Sequence, residues 1–187
     1  MDQKELIQAC KKNEYTAQMH VYTLYKDMMY NVSWRILRRR EDAEDVVQDS
    51  FIKGFQKIGK TSDDMNLGAW LRKITINHSL DVLKKRKRIN WVEESFILEK
   101  EYIEVEFPEE NSITVAHIKT CLNELKDKYR IILVLYLIEG YNHREIGELL
   151  DLKFSTVRNQ YRRGKLQLLE LIKNKNSNEI RRIHTEK

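Results

Sequence analysis

Residues 142–165 read NHREIGELLDLKFSTVRNQYRRGK, and this stretch decides the fold of the second half of the chain. Asn142 followed three residues later by Glu145 is a capping-box pattern, which predicts the start of a short helix over residues 143–150. A tight turn is predicted near residues 151–153. A second helical stripe then runs through Val157, Tyr161, Gly164, Leu168 and Ile172. A short helix, a brief turn and a second helix with a basic outer face are typical of a helix-turn-helix.

The outer face of the second helix carries polar side chains suited to DNA: Thr156, Arg158, Asn159, Arg162 and Arg163. Arginine offers a bidentate fork to guanine, asparagine pairs with adenine, and either can hold a phosphate. A single arginine here is more often a solvated side chain, but the whole arrangement favours reading of duplex DNA. Gly147 falls where the two helices must approach closely, at a cost of about 1 kcal/mol in helix propensity.

The residues before this motif predict further helices. Ile118, Cys121, Leu122 and Leu125 form one apolar stripe. The segment 129–138 is almost continuously apolar, and we expect it to be buried on most sides. Gly140 follows it in the manner of a glycine C-cap.

The first half of the chain also shows helical periodicity. One stripe contains Val21, Tyr25, Met28, Met29, Val32 and Ile36. A second stripe begins within the acid-rich turn 41–45 and contains Ala43, Val47, Ser50, Phe51, Gly54, Phe55 and Ile58. A third helix opens with Leu67, Trp70, Leu71 and Ile74 and runs into the basic residues 84–88. These patterns predict an all-α protein whose first half is a compact bundle.

Charge divides the chain into parts. Residues 1–90 carry 18 basic and 12 acidic side chains, residues 91–112 carry one basic and eight acidic, and residues 113–187 carry 15 basic and nine acidic. We therefore expect an N-terminal helical domain over 1–90 and an acidic linker over 91–112. A helix-turn-helix domain over 113–173 and a polar tail over 174–187 follow. Two basic blocks indicate a polyanionic partner.

Composition excludes several classes of protein. No run of about 18 apolar residues occurs, so no membrane insertion is expected. The polar start of the chain argues against a secretory signal, which favours the cytoplasm. Cys10 and Cys121 stand too far apart in sequence for a metal-ligand set. Six glycines and one proline argue against a glycine-rich phosphate loop, and no cofactor is expected.

Two polar faces of the first half leave alternatives open. Lys73, Asn77, Asp81, Lys84 and Lys85 recur at helical spacing. This face either tracks phosphates and offers an amide to an unpaired base, or is a solvated stripe.

The second polar face contains Asp45, Gln48 and Asp49 beside Ile52. Because carboxylates and an amide can anchor to arginines of a partner, this face favours a protein contact. The competing hypothesis is a metal-dependent nuclease that uses Asp42, Glu44, Asp45 and Asp49. No histidine lies among these carboxylates, and the helix dipole explains acids in a first turn, so no catalytic residue is expected.

Three segments of the sequence resemble those of a known family. The segment 41–51, EDAEDVVQDSF, is similar to the core-binding helix of bacterial sigma factors. The segment 69–74, AWLRKI, with Asn77 and Asp81 after it, resembles their promoter-opening helix. Residues 122–169 resemble their C-terminal helix-turn-helix. Two domains with a short linker match the extracytoplasmic-function (ECF) group.

The resemblance implies a role for each segment. Residues facing the clamp of core RNA polymerase would be Asp45, Gln48, Asp49, Phe51 and Phe55. Asn77 and the loop 60–66 would capture a flipped base of the single-stranded minus-ten element, and nearby phosphates would be held by Lys73, Lys84 and Arg86. The duplex minus-thirty-five element would be read by the outer face of the second helix of the helix-turn-helix, with Thr156, Arg158, Asn159, Arg162 and Arg163. The acidic linker would thread into a basic polymerase channel, and an anti-sigma protein is a further partner that the family allows.

The sequence departs from the family pattern in places. Lys126 stands where the family usually has proline, so we expect a different helix junction there. Lys153 replaces a small capping residue, and Ser155 is the alternative cap.

Taken together, the residue patterns and the resemblance predict an alternative sigma factor that directs promoter-specific initiation without covalent chemistry. The chief rival is a stand-alone helix-turn-helix regulator, which leaves residues 44–55 and 70–88 without a role.

Overall fold

The computed structural model describes residues 2–86, 89 and 114–185, with residues 115 and 176–185 described by their backbone alone. Within these residues the protein is helical and contains no strand, which confirms the all-α prediction. The chain forms two compact units, Met1–Arg88 and Ile89–Lys187. The predicted acidic linker 91–112 lies outside the described residues.

The N-terminal unit contains four helices: α1 (Gln3–Lys11), α2 (Tyr15–Leu37), α3 (Arg40–Ile58) and α4 (Leu67–Arg86). Helices α2, α3 and α4 pack against one another. Their core is built from the predicted stripes and includes Val21, Met29, Val47, Phe51, Ile58, Leu67 and Leu71. The apolar spacing of three and four residues therefore becomes one buried seam.

Helix α1 was not predicted from the sequence. Asp2 accepts a hydrogen bond from the backbone N–H of Glu5, whose side chain accepts one from the N–H of Asp2 in return. This capping box starts the helix, and Leu6, Ile7 and Cys10 bury its inner face in the core. The signal was present in the sequence as an Asp-Gln-Lys-Glu start followed by apolar residues at helical spacing.

The C-terminal unit contains α5 (Val115–Glu124), α6 (Asp127–Leu133), α7 (His143–Leu150) and α8 (Phe154–Thr185). A core of Cys121, Leu122, Leu125, Tyr129, Leu133, Leu168 and Ile172 joins α5, α6 and α8. Gly164 lets α8 approach α6 closely, because a Cβ added there would lie 3.0 Å from Cβ of Tyr129. The helix α8 continues through most of the segment 174–187 that the sequence sets apart as a polar tail.

The apolar segment 129–138 is only partly buried, which corrects the sequence prediction. Residues 129–135 are buried, but Tyr136, Leu137 and Ile138 are 36%, 41% and 37% exposed. The last five residues, Val134–Ile138, form a π-helical turn that widens the helix and changes its phase. Gly140 then adopts a φ of 78°, as expected of a glycine C-cap.

Candidate nucleic-acid and polymerase interfaces

The helix-turn-helix of α7 and α8 is built from local capping and one close contact. Asn142 accepts hydrogen bonds from the backbone N–H groups of Arg144 and Glu145, and the Glu145 carboxylate accepts one from the N–H of Asn142. The predicted capping box is therefore present. A Cβ added to Gly147 would lie 2.8 Å from the carbonyl oxygen of Leu152 in the turn. The tight contact is therefore with the turn, whereas the sequence predicts a close approach between the two helices. On α8 the nearest atom, Cγ2 of Val157, lies at an ordinary contact distance of 3.9 Å.

The predicted DNA-reading residues occupy the first three turns of α8. Arg158 and Asn159 are exposed, whereas Thr156, Arg162 and Arg163 are half-buried. The opposite side of the helix buries Val157, Gln160 and Gly164. The guanidinium of Arg158 lies 5.8 Å from the ring centroid of Phe154, which favours a fixed orientation of this side chain.

A second polar site lies in the N-terminal unit, where α4 passes the end of α3 and the loop that follows it. A cleft of about 400 Å³ is lined by Lys57, Lys60, Thr61, Trp70, Lys73, Ile74 and Asn77. Lys73 and Asn77 lie one helical turn apart and both are exposed. Asn66 closes the loop, because its side-chain oxygen accepts a hydrogen bond of 2.8 Å from the N–H of Ala69. The structure thus brings Asn77 and the loop 60–66 together.

The other two predicted phosphate-binding residues do not line this cleft. Lys84 and Arg86 lie in the last turn of α4, and both are exposed. The guanidinium of Arg86 forms an ion pair with the buried carboxylate of Asp42 in the first turn of α3. Arg86 therefore anchors the end of α4, and its role toward phosphate stays a prediction.

The outer face of α3 carries the residues predicted to contact a protein partner. Asp45, Gln48 and Asp49 are exposed, and Ile52 next to them is 55% exposed. One carboxylate oxygen of Asp49 lies 3.6 Å from Nε2 of His78 on α4. An exposed isoleucine among acidic and amide side chains is suited to a partner that supplies both arginine and apolar contacts.

One residue of the predicted polymerase-binding set is placed differently. Phe51 is only 3% exposed, and its ring centroid lies 4.9 Å from that of Tyr22 and 6.0 Å from that of Phe55. Phe51 therefore packs beneath the outer face of α3 and is not available for direct contact with a protein partner. Phe55 is half-buried. The apolar stripe in the sequence predicts that Phe51 is buried, which agrees with its position. The resemblance to the family implied that Phe51 faces polymerase, which its burial does not support.

Comparison with known protein families identifies the family to which the chain belongs. Residues 21–89 match Sigma-70 region 2, and residues 117–168 match Sigma-70 region 4. The chain belongs to the sigma-70 family, in its ECF group. Region 2 covers the cleft and the outer face of α3, and region 4 covers the helix-turn-helix.

Individual relatives agree with this assignment. The chain is similar to ECF RNA polymerase sigma factor SigW of Bacillus subtilis (strain 168), with 26% identity over 87% of this chain and 92% of SigW. It is 30% identical to ECF RNA polymerase sigma factor SigE of Mycolicibacterium smegmatis over 79% of this chain and 58% of SigE. In fold it resembles the sigma factor RpoE, solved in complex with the anti-sigma factor NepR from Bartonella quintana. The TM-score is 0.52 at 22% identity, covering 83% of this chain and 96% of that chain.

The family assignment settles the choice between the two candidate functions. The chain is an alternative sigma factor that directs transcription, and a stand-alone regulator is not favoured, because region 2 accounts for residues 21–89. Sigma-70 regions 2 and 4 bind core RNA polymerase and promoter DNA.

Three of the four carboxylates named in the nuclease hypothesis lie beside a basic side chain of the protein itself. Asp42 pairs with Arg86, and Glu44 lies 2.8 Å from Nε of Arg40. Asp49 lies 3.6 Å from Nε2 of His78. Across residues 2–86, 89 and 114–185, no group of three or more His, Cys, Asp or Glu side chains is placed to hold a metal ion. In the same part of the chain, no helix is both long and apolar enough to cross a bilayer.

Sequence reasoning missed an aromatic cluster beside the helix-turn-helix of this sigma factor. The ring of His143 stacks on Tyr136 at 4.6 Å between centroids and meets Tyr161 edge-on at 4.9 Å. Burial among these rings lowers the pKa of His143, and the charge of Arg158 lowers it further. The cluster fixes the start of α7 against α8. No simple spacing signals it, because its members come from three separate helical segments.

Proposed function

We propose that this sigma factor uses three separate surfaces during initiation. The outer face of α3, with Asp45, Gln48, Asp49 and the half-buried Phe55, binds core RNA polymerase. The cleft between α4 and the loop 60–66 holds a base extruded from the non-template strand of the minus-ten element. The outer face of α8 reads the minus-thirty-five element as duplex.

The observation that carries the proposal is the composition of the cleft in region 2. Asn77 supplies both a donor and an acceptor for the edge of a base, and Trp70 supplies an aromatic surface. Lys57, Lys60 and Lys73 line the same cleft and suit the phosphates on either side of such a base. A cleft that combines an amide, an aromatic ring and three ammonium groups fits one nucleotide of single-stranded DNA.

Promoter melting then follows without covalent chemistry, so the protein is not an enzyme. Extruding a base costs a few kcal/mol of unstacking. Contacts made only with the extruded base offset that cost and favour the open state, while polymerase holds the strands apart. Because promoter DNA and polymerase are its partners, we place the protein in the cytoplasm.

Region 4 contributes affinity for promoter DNA and fixes the position of the protein on it by binding duplex DNA, not an extruded base. The exposed pair Arg158 and Asn159 faces bases in the major groove, and Thr156, Arg162 and Arg163 flank the DNA backbone.

An anti-sigma protein is a further proposed partner, supported by the solved RpoE complex. Capture of a purified candidate anti-sigma protein by the full chain, with loss of polymerase binding, tests this partner.

The experiment that tests the region 2 proposal compares Asn77→Ala with Asn31→Ala, an exposed asparagine on α2. Asn77→Ala should weaken open-complex formation, measured by permanganate reactivity, far more than it weakens polymerase binding. Asn31→Ala should change neither. Equal loss of polymerase binding and strand opening in Asn77→Ala would contradict the assignment of the cleft.

A further inference from the structure

Helix α1 is tied to the loop 60–66 by several polar contacts. The Lys11 ammonium donates to the carbonyl oxygen of Thr61 at 2.5 Å and to the carboxylate of Asp63 at 2.6 Å. The Gln8 amide donates to the other carboxylate oxygen of Asp63 at 3.0 Å. The Gln3 amide donates to the carbonyl oxygen of Met65 at 3.0 Å. These side chains all belong to one helix, and their targets all lie within residues 61–65.

The opposite face of α1 is held in the core. Leu6, Ile7 and Cys10 are at most 4% exposed. The polar contacts therefore join the loop to a fixed element, and the loop cannot move independently while they persist. The same contacts lower the pKa of the Asp63 carboxyl, with the hydrogen bond from Lys11 as the largest cause. The carboxylate is accordingly in the charged form that the Lys11 ammonium requires.

The loop held by α1 forms one wall of the proposed base site. Lys60 and Thr61 line the cleft together with Asn77. Thr61 is also fixed from the other side, because its hydroxyl donates to the carbonyl oxygen of Ile58 at 2.7 Å. Helix α1 precedes residues 21–89, which match region 2, so this support comes from outside the matched segment.

We propose that α1 is a positioning element for base capture, in which Lys11 holds Thr61 and Asp63 so that the loop 60–66 closes the cleft beside Asn77. This inference rests on the proposed function of the cleft. A loop that is already ordered does not lose conformational freedom when the base enters, so α1 raises the affinity for the extruded base. Lys11 acts through the loop and needs no contact with DNA.

The test uses holoenzyme reconstituted from core polymerase and the full chain. Its ligand is a single-stranded oligonucleotide with the non-template sequence of a promoter whose start site has been mapped with this holoenzyme. Lys11→Met removes the ammonium but keeps the aliphatic length of the side chain. Lys12→Met is the matched control, because Lys12 is an exposed neighbour whose loss changes net charge by the same amount. Lys11→Met should weaken oligonucleotide binding by about 5-fold, and Lys12→Met should leave it within about 2-fold of wild type.

A charge swap separates positioning from a general effect on stability. Lys11→Asp and Asp63→Lys should each weaken oligonucleotide binding, and the double variant should recover most of the loss because an ion pair is restored. Polymerase affinity and urea unfolding are measured for every variant. Equal losses for Lys11→Met and Lys12→Met, or a double variant with no recovery, would overturn the proposal. Reduced stability with unchanged oligonucleotide binding would overturn it as well.

The role of the cleft in base capture is tested separately from the role of α1. Asn77→Ala in the same assay reports on base capture, whereas the Lys11 variants report on α1. A loss for Asn77→Ala with none for Lys11→Met contradicts the role of α1 alone. No loss for Asn77→Ala contradicts the assignment of Asn77 in the proposed function.

Discussion

The guanidinium of Arg86 in the last turn of α4 forms an ion pair with the carboxylate of Asp42 in the first turn of α3, 44 positions earlier in the chain. Asp42 is buried, and 34% of the Arg86 side chain is exposed. The pair joins the end of the helix that lines the base cleft to the start of the helix that carries the polymerase-binding face. Both surfaces therefore depend on one buried carboxylate.

Asp42→Asn should lower the free energy of unfolding by about 2 kcal/mol, because it removes the charge that a partly buried guanidinium faces. The loss is smaller than for a fully buried pair, since solvent reaches part of Arg86. Urea unfolding of the full chain measures it. Glu41→Gln, in the same turn but with a side chain that is 84% exposed, should stay within about 0.5 kcal/mol of wild type. A similar loss in both variants would show that the helix dipole, and not the ion pair, matters here.

Gly147→Ala should destabilise the helix-turn-helix by about 1 to 3 kcal/mol. The new Cβ would lie 2.8 Å from the carbonyl oxygen of Leu152, and a backbone atom cannot move aside cheaply. Gly59→Ala is the control, since nothing lies within 4 Å of its added Cβ and its φ is −58°. Thermal unfolding should show that Gly59→Ala is neutral or stabilising. A stable Gly147→Ala variant would mean that the turn is looser than described.

Lys126→Pro should raise the free energy of unfolding by about 0.5 kcal/mol. Lys126 has a φ of −58°, and Leu125 before it has a ψ of 150°, which are the conformations that proline and its preceding residue require. The backbone at this junction is therefore one that proline can adopt, and the different junction expected from the sequence stays a prediction. Lys126→Ala removes the charge without the ring, and chemical denaturation should place it below Lys126→Pro.

Stability should fall as the pH decreases below 6.5, in part because of His143. Its pKa in the folded state is lowered below the ordinary value of 6.5 by burial among Tyr136, Phe154 and Tyr161 and by the charge of Arg158. The unfolded chain therefore takes up a proton first, and the stabilisation present above pH 6.5 is lost as the pH falls through the folded pKa. His143→Phe keeps the stacking and should flatten the pH dependence of urea unfolding, whereas the exposed His20→Phe should not. Identical pH profiles for wild type and His143→Phe would contradict this account.

Arg158→Ala should weaken binding to promoter DNA by about 1 to 3 kcal/mol and relax specificity within the minus-thirty-five element. Lys119→Ala removes the same charge from an exposed position on α5 and is the control. Binding of holoenzyme to promoters with and without an intact upstream element measures both variants. Unchanged transcription from every cognate promoter in Arg158→Ala would show that the reading face of α8 is misplaced.

Much of the fold could be predicted because its elements follow from regular spacing and local capping. The stripes of α2, α3 and α4 and the Asn142 capping box all appear in the structure. The π-helical turn Val134–Ile138 could not be read from sequence, because a continuously apolar run carries no period to mark a change of helical phase. The start of α8 at Phe154 also differs from a cap at Ser155. Helix ends depend on tertiary contacts, so a residue or two of error is expected there.

The candidate sites were less predictable than the fold. Asn77 and Lys73 are exposed as expected, but the cleft also needs Trp70 and Thr61, which only folding brings beside them. The contacts from α1 to the loop join residues at least 50 positions apart, and no sequence pattern marks such pairs.

Transcription by purified core RNA polymerase on supercoiled genomic DNA, with and without this protein, tests the central claim most directly. The account predicts that the protein binds core polymerase at low salt and directs initiation at a defined set of start sites that core alone does not use. Absence of binding to core polymerase, or an unchanged set of start sites, would contradict it.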